Sequence, residues 1–269
     1  MTATCFAAYL LLDLGNTRLK WAWMQDAETI DSQTAGVQTG AIAWATINEQ
    51  APLPFLDSIH VAPGLRIALC SVQSAERTAW VCAQLTARWP QVPIERLSAS
   101  AQALGVQNGY TEPTQLGADR WAALLAAHSL FPGENLLVVS AGTATTVDAL
   151  HATGQNKHQH QHLGGLILPG LQLMQQSLAQ GTAQLPAVSH LELTPFPQNT
   201  QHAIASGCLA AQCGAIERFA TAHTHWQPQR VVMTGGTAAQ LVPYLNLSSQ
   251  LELRENLVLE GLHCWLRAH

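Results

Sequence analysis

Apolar positions in this chain gather into short runs, and two of those runs are built alike. Tyr9-Leu10-Leu11-Leu12-Asp13-Leu14 is nearly continuous in apolar residues, and residues 18–24 then alternate Leu19, Trp21 and Trp23 with Arg18, Lys20 and Ala22. An apolar run followed by a period of two predicts a pair of adjacent strands, with Gly15-Asn16-Thr17 as the turn between them. The segment from Val138 to Asp148 repeats the plan, with a turn at Gly142-Thr143-Ala144. Asp13 and Ser140 hold equivalent places in the two hairpins.

Elsewhere the pattern predicts strands alternating with helices. Residues 67–72 read as a buried strand, and Ser74 as the N-cap of a helix reaching about Trp89, with Trp80, Leu85 and Trp89 on its apolar side. A short strand follows at 92–97, then a helix within 115–131 that starts near Gly117-Ala118-Asp119-Arg120. Pro132-Gly133 ends that helix and marks a boundary between lobes 1–132 and 133–269. In the second half, residues 164–170 read as a strand breaking into a helix that stops at Gly181. A helix over 199–222 follows, then a strand at 231–234 entering a glycine turn and another helix. Hairpins followed by alternating strands and helices, twice over, predict an α/β fold of two similar lobes.

Composition narrows the functional classes. With 48% hydrophobic and 11% charged residues, the chain reads as well buried rather than disordered. A formal net charge of −5 without any Lys/Arg run offers no field for a nucleic-acid backbone. No uncharged apolar run approaches the roughly 20 residues that span a bilayer. The six cysteines form no C-x-x-C pair, and Met1 to Tyr9 holds no basic residue, so the expectation is a cytoplasmic protein with reduced thiols.

Small-residue turns between strands let backbone amides approach phosphate oxygens, because glycine has no Cβ to obstruct them. These turns lead from strand to strand, unlike the strand-to-helix turns of Walker and Rossmann loops. Asp13 ends an apolar strand, where a carboxylate is costly unless paired or metal-bound. It would contact Mg²⁺ beside phosphates, with Asn16, Thr17 and Lys20 as donors; the alternative is an Asx-type turn with no ligand. Asp119 would serve as general base or aim a hydroxyl, with Arg120 steadying a transferred phosphoryl group. The competing reading is a first-turn acid favoured by the helix dipole, next to a surface arginine. Gly235-Gly236 would let the backbone lie flat against an adenine or ribose. His151, His158, His160 and His162 are separated by Gln and Asn without acidic partners in the stretch, and read as a solvated hairpin tip rather than a metal cluster. Cys208 and Cys213 fall on a predicted helix and read as core.

Taken in order, Asp13-x-Gly15-Asn16-Thr17, Tyr110 before Leu116-Gly117-Ala118-Asp119-Arg120, and Gly142-Thr143-Ala144-Thr145-Thr146 make a specific set. Gly164-Gly165 with Pro169-Gly170, Thr182-Ala183 with Leu185-Pro186, Asn199-Thr200 with Ser206-Gly207, and Thr234-Gly235-Gly236 continue it. Over nearly its whole length the chain resembles the type III pantothenate kinases, which phosphorylate pantothenate to begin coenzyme A synthesis. The resemblance implies an actin-like fold of two ribonuclease H-like lobes, with mixed sheets flanked by helices, and a homodimer. It implies ATP held between the 13–20 and 140–146 hairpins, contacted by Asp13, Leu14, Gly15, Asn16, Thr17, Arg18, Leu19, Lys20 and Thr143. Tyr110, Gly117, Ala118, Asp119, Arg120 and Thr182 would face pantothenate, with Asp119 accepting the proton of the attacking hydroxyl. Family members commonly carry Asp where this chain has Ser140, and that acid contributes to a K⁺ or NH₄⁺ site. The serine would be a neutral, weaker ligand. Another small-molecule kinase on the same scaffold, or a non-catalytic nucleotide-binding regulator, are the competing functions.

Overall fold

The computed structural model describes residues 8–25, 30, 34–59, 64–153, 159–181 and 192–269. The first hairpin forms as its pattern predicts. β1 (Ala8–Leu14) and β2 (Arg18–Gln25) pair antiparallel, with Asp13 opposite Lys20 and Leu14 opposite Leu19. β3 (Val37–Ala43) pairs with the far edge of β2. On the other side β4 (Leu65–Ser71) lies parallel to β1 with Cys70 opposite Asp13, and β5 (Ile94–Arg96) lies parallel to β4. The order is β3-β2-β1-β4-β5. β1 and β4 are interior parallel neighbours covered on both faces, so their sequences are apolar throughout instead of alternating.

Helix α1 (Ala75–Arg88) begins where Ser74 predicts, its Oγ accepting from Arg77 N at 3.3 Å. It buries Thr78, Val81 and Leu85. Trp80 packs against the same core from its edge: it is half-buried, and its Nε1 donates to Glu49 O at 3.0 Å. A two-residue strand, β6 (Gln102–Ala103), precedes the turn at Leu104-Gly105. Helix α2 is Ala118–Leu130.

Reading from the strand that carries Ser140, the second sheet repeats the first. β8 (Leu136–Ala141) and β9 (Ala144–Thr153) are antiparallel, with Ser140 opposite Thr146. β10 (Gln159–Pro169) pairs with β9, and β7 (Val106–Gln107) with β10. β11 (Arg230–Thr234) lies parallel to β8 with Thr234 opposite Ser140, and β12 (Gln250–Leu253) parallel to β11. The order β10-β9-β8-β11-β12 matches β3-β2-β1-β4-β5, and Ser140 stands where Asp13 does, next to last in the central strand. Helices α3 (Leu171–Gly181), α4 (Thr200–Thr221) and α5 (Ala238–Leu241) belong to this half. Asn199 caps α4 by accepting from His202 N at 2.9 Å, and Cys208 and Cys213 are buried along it.

Two compact units result: Met1–Leu104, Tyr110–Ser129 and Asn256–His269 in one, Gly105–Gly109 and Leu130–Glu255 in the other. A single division into 1–132 and 133–269 does not describe them. The last helix, α6 (Leu257–Arg267), packs on β1 and β4 and so joins the first unit. Its Gly261 lies so close to α2 that a Cβ would come within 1.9 Å of Ala122 O. Among the described residues no helix is long and apolar enough to cross a membrane.

Two of the four histidines singled out in the sequence are not solvated. His160 and His162 are fully buried on β10; His162 Nε2 donates to Asp148 Oδ1 at 2.9 Å and His160 Nε2 to Glu134 O at 2.8 Å. The acidic partner comes from the neighbouring strand, and a register shift between His162 and Gly164 marks the place. His151 Nδ1 lies 2.9 Å from Asn135 Oδ1, while His158 lies outside the described residues.

The second hairpin is packed backbone to backbone at its turn. Gly235 has φ +99°, and a Cβ there would stand 2.3 Å from Ala141 O, which accepts from Thr237 N and Oγ1. Gly235→Ala is therefore expected to destabilise the fold by at least roughly 2 kcal/mol, combining a left-handed backbone with a clash that backbone cannot relieve. A thermal melt lowered by less than a degree would contradict this.

Candidate functional site

Asp13 is a buried carboxyl group of the first unit with a strongly raised pKa. It sits near the end of β1, 9% exposed, with Cys70 Sγ 3.8 Å from its Oδ1. Burial, and next the charge of Asp119, lift its pKa from an ordinary 3.8 to about 7; Lys20 and the Cys70 thiol pull the other way more weakly. Two carboxyl groups from distant segments thus feel each other at one place. The strand end supplies the first, and the opening turn of α2 the second.

Asp119 is held by its own helix start: Oδ1 accepts from Arg120 N at 2.7 Å. Gly117 leaves it room, since a Cβ there would stand 2.7 Å from the same oxygen. That oxygen terminates a rotatable side chain, so Gly117→Ala is expected to turn the carboxylate without unfolding the protein. Turnover should fall by roughly 10- to 100-fold, as misplaced catalytic groups do, at an unchanged melting temperature. Unchanged turnover would show that the carboxylate's present direction is unimportant.

Arg120 is no surface arginine. It is buried, its Nη1 donates to Tyr110 Oη at 2.9 Å, and its guanidinium lies 5.5 Å from the centre of the Tyr110 ring. Tyr110, Gly117, Ala118, Asp119 and Arg120 therefore form one local cluster on the first unit, half-buried apart from Arg120. Thr182 lies outside the described residues.

In the first hairpin, Asn16, Thr17 and Arg18 are exposed at the turn, while Gly15 and Lys20 are half-buried. Leu14 and Leu19 are fully buried core residues, which leaves their backbones alone to meet a ligand. Sequence reasoning missed what holds this turn. Trp44 Nε1 donates to Gly15 O at 2.7 Å, and Gln73 Nε2 donates to Gly15 O at 2.6 Å and Asn16 O at 3.0 Å. In the second unit Thr143 is exposed at its turn, and its carbonyl accepts from Gly170 N at 2.9 Å.

A sequence profile of type III pantothenate kinase matches residues 9–222. The chain belongs to the type III pantothenate kinase family. A type III pantothenate kinase of Herminiimonas arsenicoxydans is 40% identical over 259 residues, spanning 94% of this chain and 95% of that one. The type III pantothenate kinase of Janthinobacterium sp. (strain Marseille) is 42% identical over 262 residues, with 94% and 95% covered. Among solved structures, a conserved putative Baf family transcriptional activator from Campylobacter jejuni superposes with a TM-score of 0.58 at 18% identity, covering 96% of this chain and 98% of that one. That likeness concerns the fold, which is the actin-like one, with two mixed sheets flanked by helices.

For this family member, the residues present fit a divalent cation better than a monovalent one. Asp13 and Asp119 are two carboxyl groups whose mutual repulsion a cation would relieve, and Mg²⁺ commonly takes one or two protein carboxylates, with phosphates and water completing its shell. Ser140 offers a neutral hydroxyl. Its strand-register neighbours Thr146 and Thr234 are neutral too, and the Asp148 carboxylate is tied to His162. That donor set does not fit a carboxylate-anchored K⁺ or NH₄⁺ site.

Proposed function

We propose that the protein transfers the γ-phosphoryl group of ATP to the primary hydroxyl of pantothenate, the opening step of coenzyme A synthesis. The observation that carries this reading is the Asp13–Asp119 pair beside the Tyr110–Arg120 contact in a member of the type III pantothenate kinase family. Asp119 orients the hydroxyl and takes its proton as the new O–P bond forms and the bond to the ADP oxygen breaks. In a loose transition state that proton leaves late, so aiming the oxygen is a large part of the role. Tyr110, Gly117, Ala118, Arg120 and Thr182 serve pantothenate; residues 13–20 and Thr143 serve ATP. Mg²⁺, when bound through Asp13, neutralises phosphate charge.

No step is assigned to a monovalent cation. The free thiols Cys70, Cys208 and Cys213 in the core support a reducing, cytoplasmic setting. Exposed Leu166 and Ile167 on β10 and Leu173 on α3 support a homodimer, which light scattering at twice 28.9 kDa would register.

The deciding experiment is coupled ADP release by purified protein with Mg²⁺ and ATP, against pantothenate and a panel of sugars and acetate, with and without K⁺. Pantothenate-dependent release is expected, with little dependence on K⁺. Preference for another acceptor would replace the substrate assignment, and ATP binding without turnover on any acceptor would replace it with a regulator.

A further inference from the structure

The turn of the first hairpin is held from outside by a side-chain clamp. Gln73 lies in the short connection from β4 to α1, and its Nε2 reaches two consecutive carbonyls, Gly15 O at 2.6 Å and Asn16 O at 3.0 Å. Trp44 Nε1 donates to the first of these as well, at 2.7 Å, and Trp44 N donates to Thr17 O at 3.1 Å. Three successive carbonyls of the turn are thereby engaged by donors of the same unit.

The clamp is itself braced. Arg77, in the first turn of α1, donates from Nη1 to Gln73 Oε1 at 3.4 Å, and its guanidinium lies 5.1 Å from the centre of the Trp44 ring. That contact also sets the amide's orientation, since the oxygen faces the guanidinium and the nitrogen the carbonyls. Gln73 N in turn donates to Ser71 Oγ at 3.1 Å, and Ser71 Oγ lies 2.8 Å from Thr78 Oγ1.

In a trans peptide the C=O of one residue and the N–H of the next point in opposite directions. Fixing Gly15 O and Asn16 O toward Gln73 therefore turns the N–H groups of Asn16 and Thr17 the other way. Both residues are exposed. Consecutive amides pointing outward from a turn make a concavity that suits a phosphate.

We propose that Gln73, braced by Trp44 and Arg77, is a positioning residue for nucleotide binding: it sets the peptide planes whose amides receive the phosphates of ATP. It touches carbonyls, not ligand. The inference rests on the reading of residues 13–20 as the ATP turn. Without the amide, Asn16 O loses the Gln73 donor and Gly15 O is left with Trp44 Nε1, so the turn is held less firmly and each ATP molecule bound must order it further.

The test uses two variants of the full chain. Gln73→Glu keeps the shape and sets a carboxylate against both carbonyls; Gln73→Met keeps the length without the donor and without charge. Calorimetric titration with ATP and Mg²⁺ reads the inference directly. Pantothenate-dependent ADP release at saturating ATP, measured on the variants and on the unaltered protein, gives KM for pantothenate and reads the catalytic assignment separately. Both variants are expected to weaken ATP binding by roughly tenfold or more, while KM for pantothenate stays within about twofold. A lowered melting temperature with ATP affinity unchanged in either folded variant would reduce Gln73 to a structural brace and overturn the proposal. So would failure of the unaltered protein to bind ATP at all.

Discussion

Asp119→Asn is expected to lower kcat for pantothenate phosphorylation by roughly 10²- to 10⁴-fold, the range that a positioned acid or base contributes. KM for either substrate should move little. The substitution is conservative where it matters for folding: the amide oxygen still accepts from Arg120 N, the contact that fixes the side chain at the start of α2. Removing the charge also relieves Asp13, whose pKa the Asp119 carboxylate raises. The melting temperature should accordingly hold or rise. A kcat within a few-fold of the unaltered protein, with the fold intact, would remove Asp119 from the chemistry.

The second large effect is on stability and depends on pH. Folding raises the Asp13 pKa from 3.8 to about 7, so across that interval the folded protein binds a proton that the unfolded chain has released. Its contribution to stability is complete below about pH 4 and is lost as pH rises through about 7. The loss amounts to about 4 kcal/mol, a pKa unit being worth 1.36 kcal/mol. Asp13→Asn cannot ionise and should escape it. The variant is expected to melt well above the unaltered protein at about pH 8 and to converge with it toward about pH 4. Yet without a carboxylate for Mg²⁺ its activity should fall by roughly 100-fold. Adding Mg²⁺ should restore stability to the unaltered protein at alkaline pH and do little for the variant. Parallel melting curves across the pH range would show that Asp13 carries no such strain.

What could be read from the sequence followed the range of the interactions involved. The β1–β2 and β8–β9 hairpins are local, and a period of two bracketing a small-residue turn suffices to reveal each. Ser74 at the head of α1 and Asn199 at the head of α4 are equally local, each accepting from an amide three residues on. The carboxyl groups Asp13 and Asp119 were also legible, because an acid ending an apolar strand and an acid opening a helix each call for an explanation. Their proximity was not, since no periodicity encodes a contact between residues so far apart in the chain.

The misses have the same cause. His162 looked solvated because its partner, Asp148, lies across a strand pairing rather than among its neighbours in sequence. Gln73 gave no signal at all, its partners being backbone carbonyls, which have no residue type to recognise. Helix α6 carries a local signal that went unread, Leu259, Leu262 and Leu266 recurring at helical spacing; what no local pattern gives is its partner, the β1 and β4 surfaces formed by the opening quarter of the chain.

That last helix carries a consequence for biogenesis. Its Gly261 abuts Ala122, its His263 ring stands edge-on to Tyr9 at 4.9 Å, and its Leu266 carbonyl receives Arg66 Nη1 at 2.6 Å. While a nascent chain is emerging, the part of β1 and β4 that α6 covers stays open until the ribosome has translated all of Leu130–Glu255. The half of the protein made first is the half finished last.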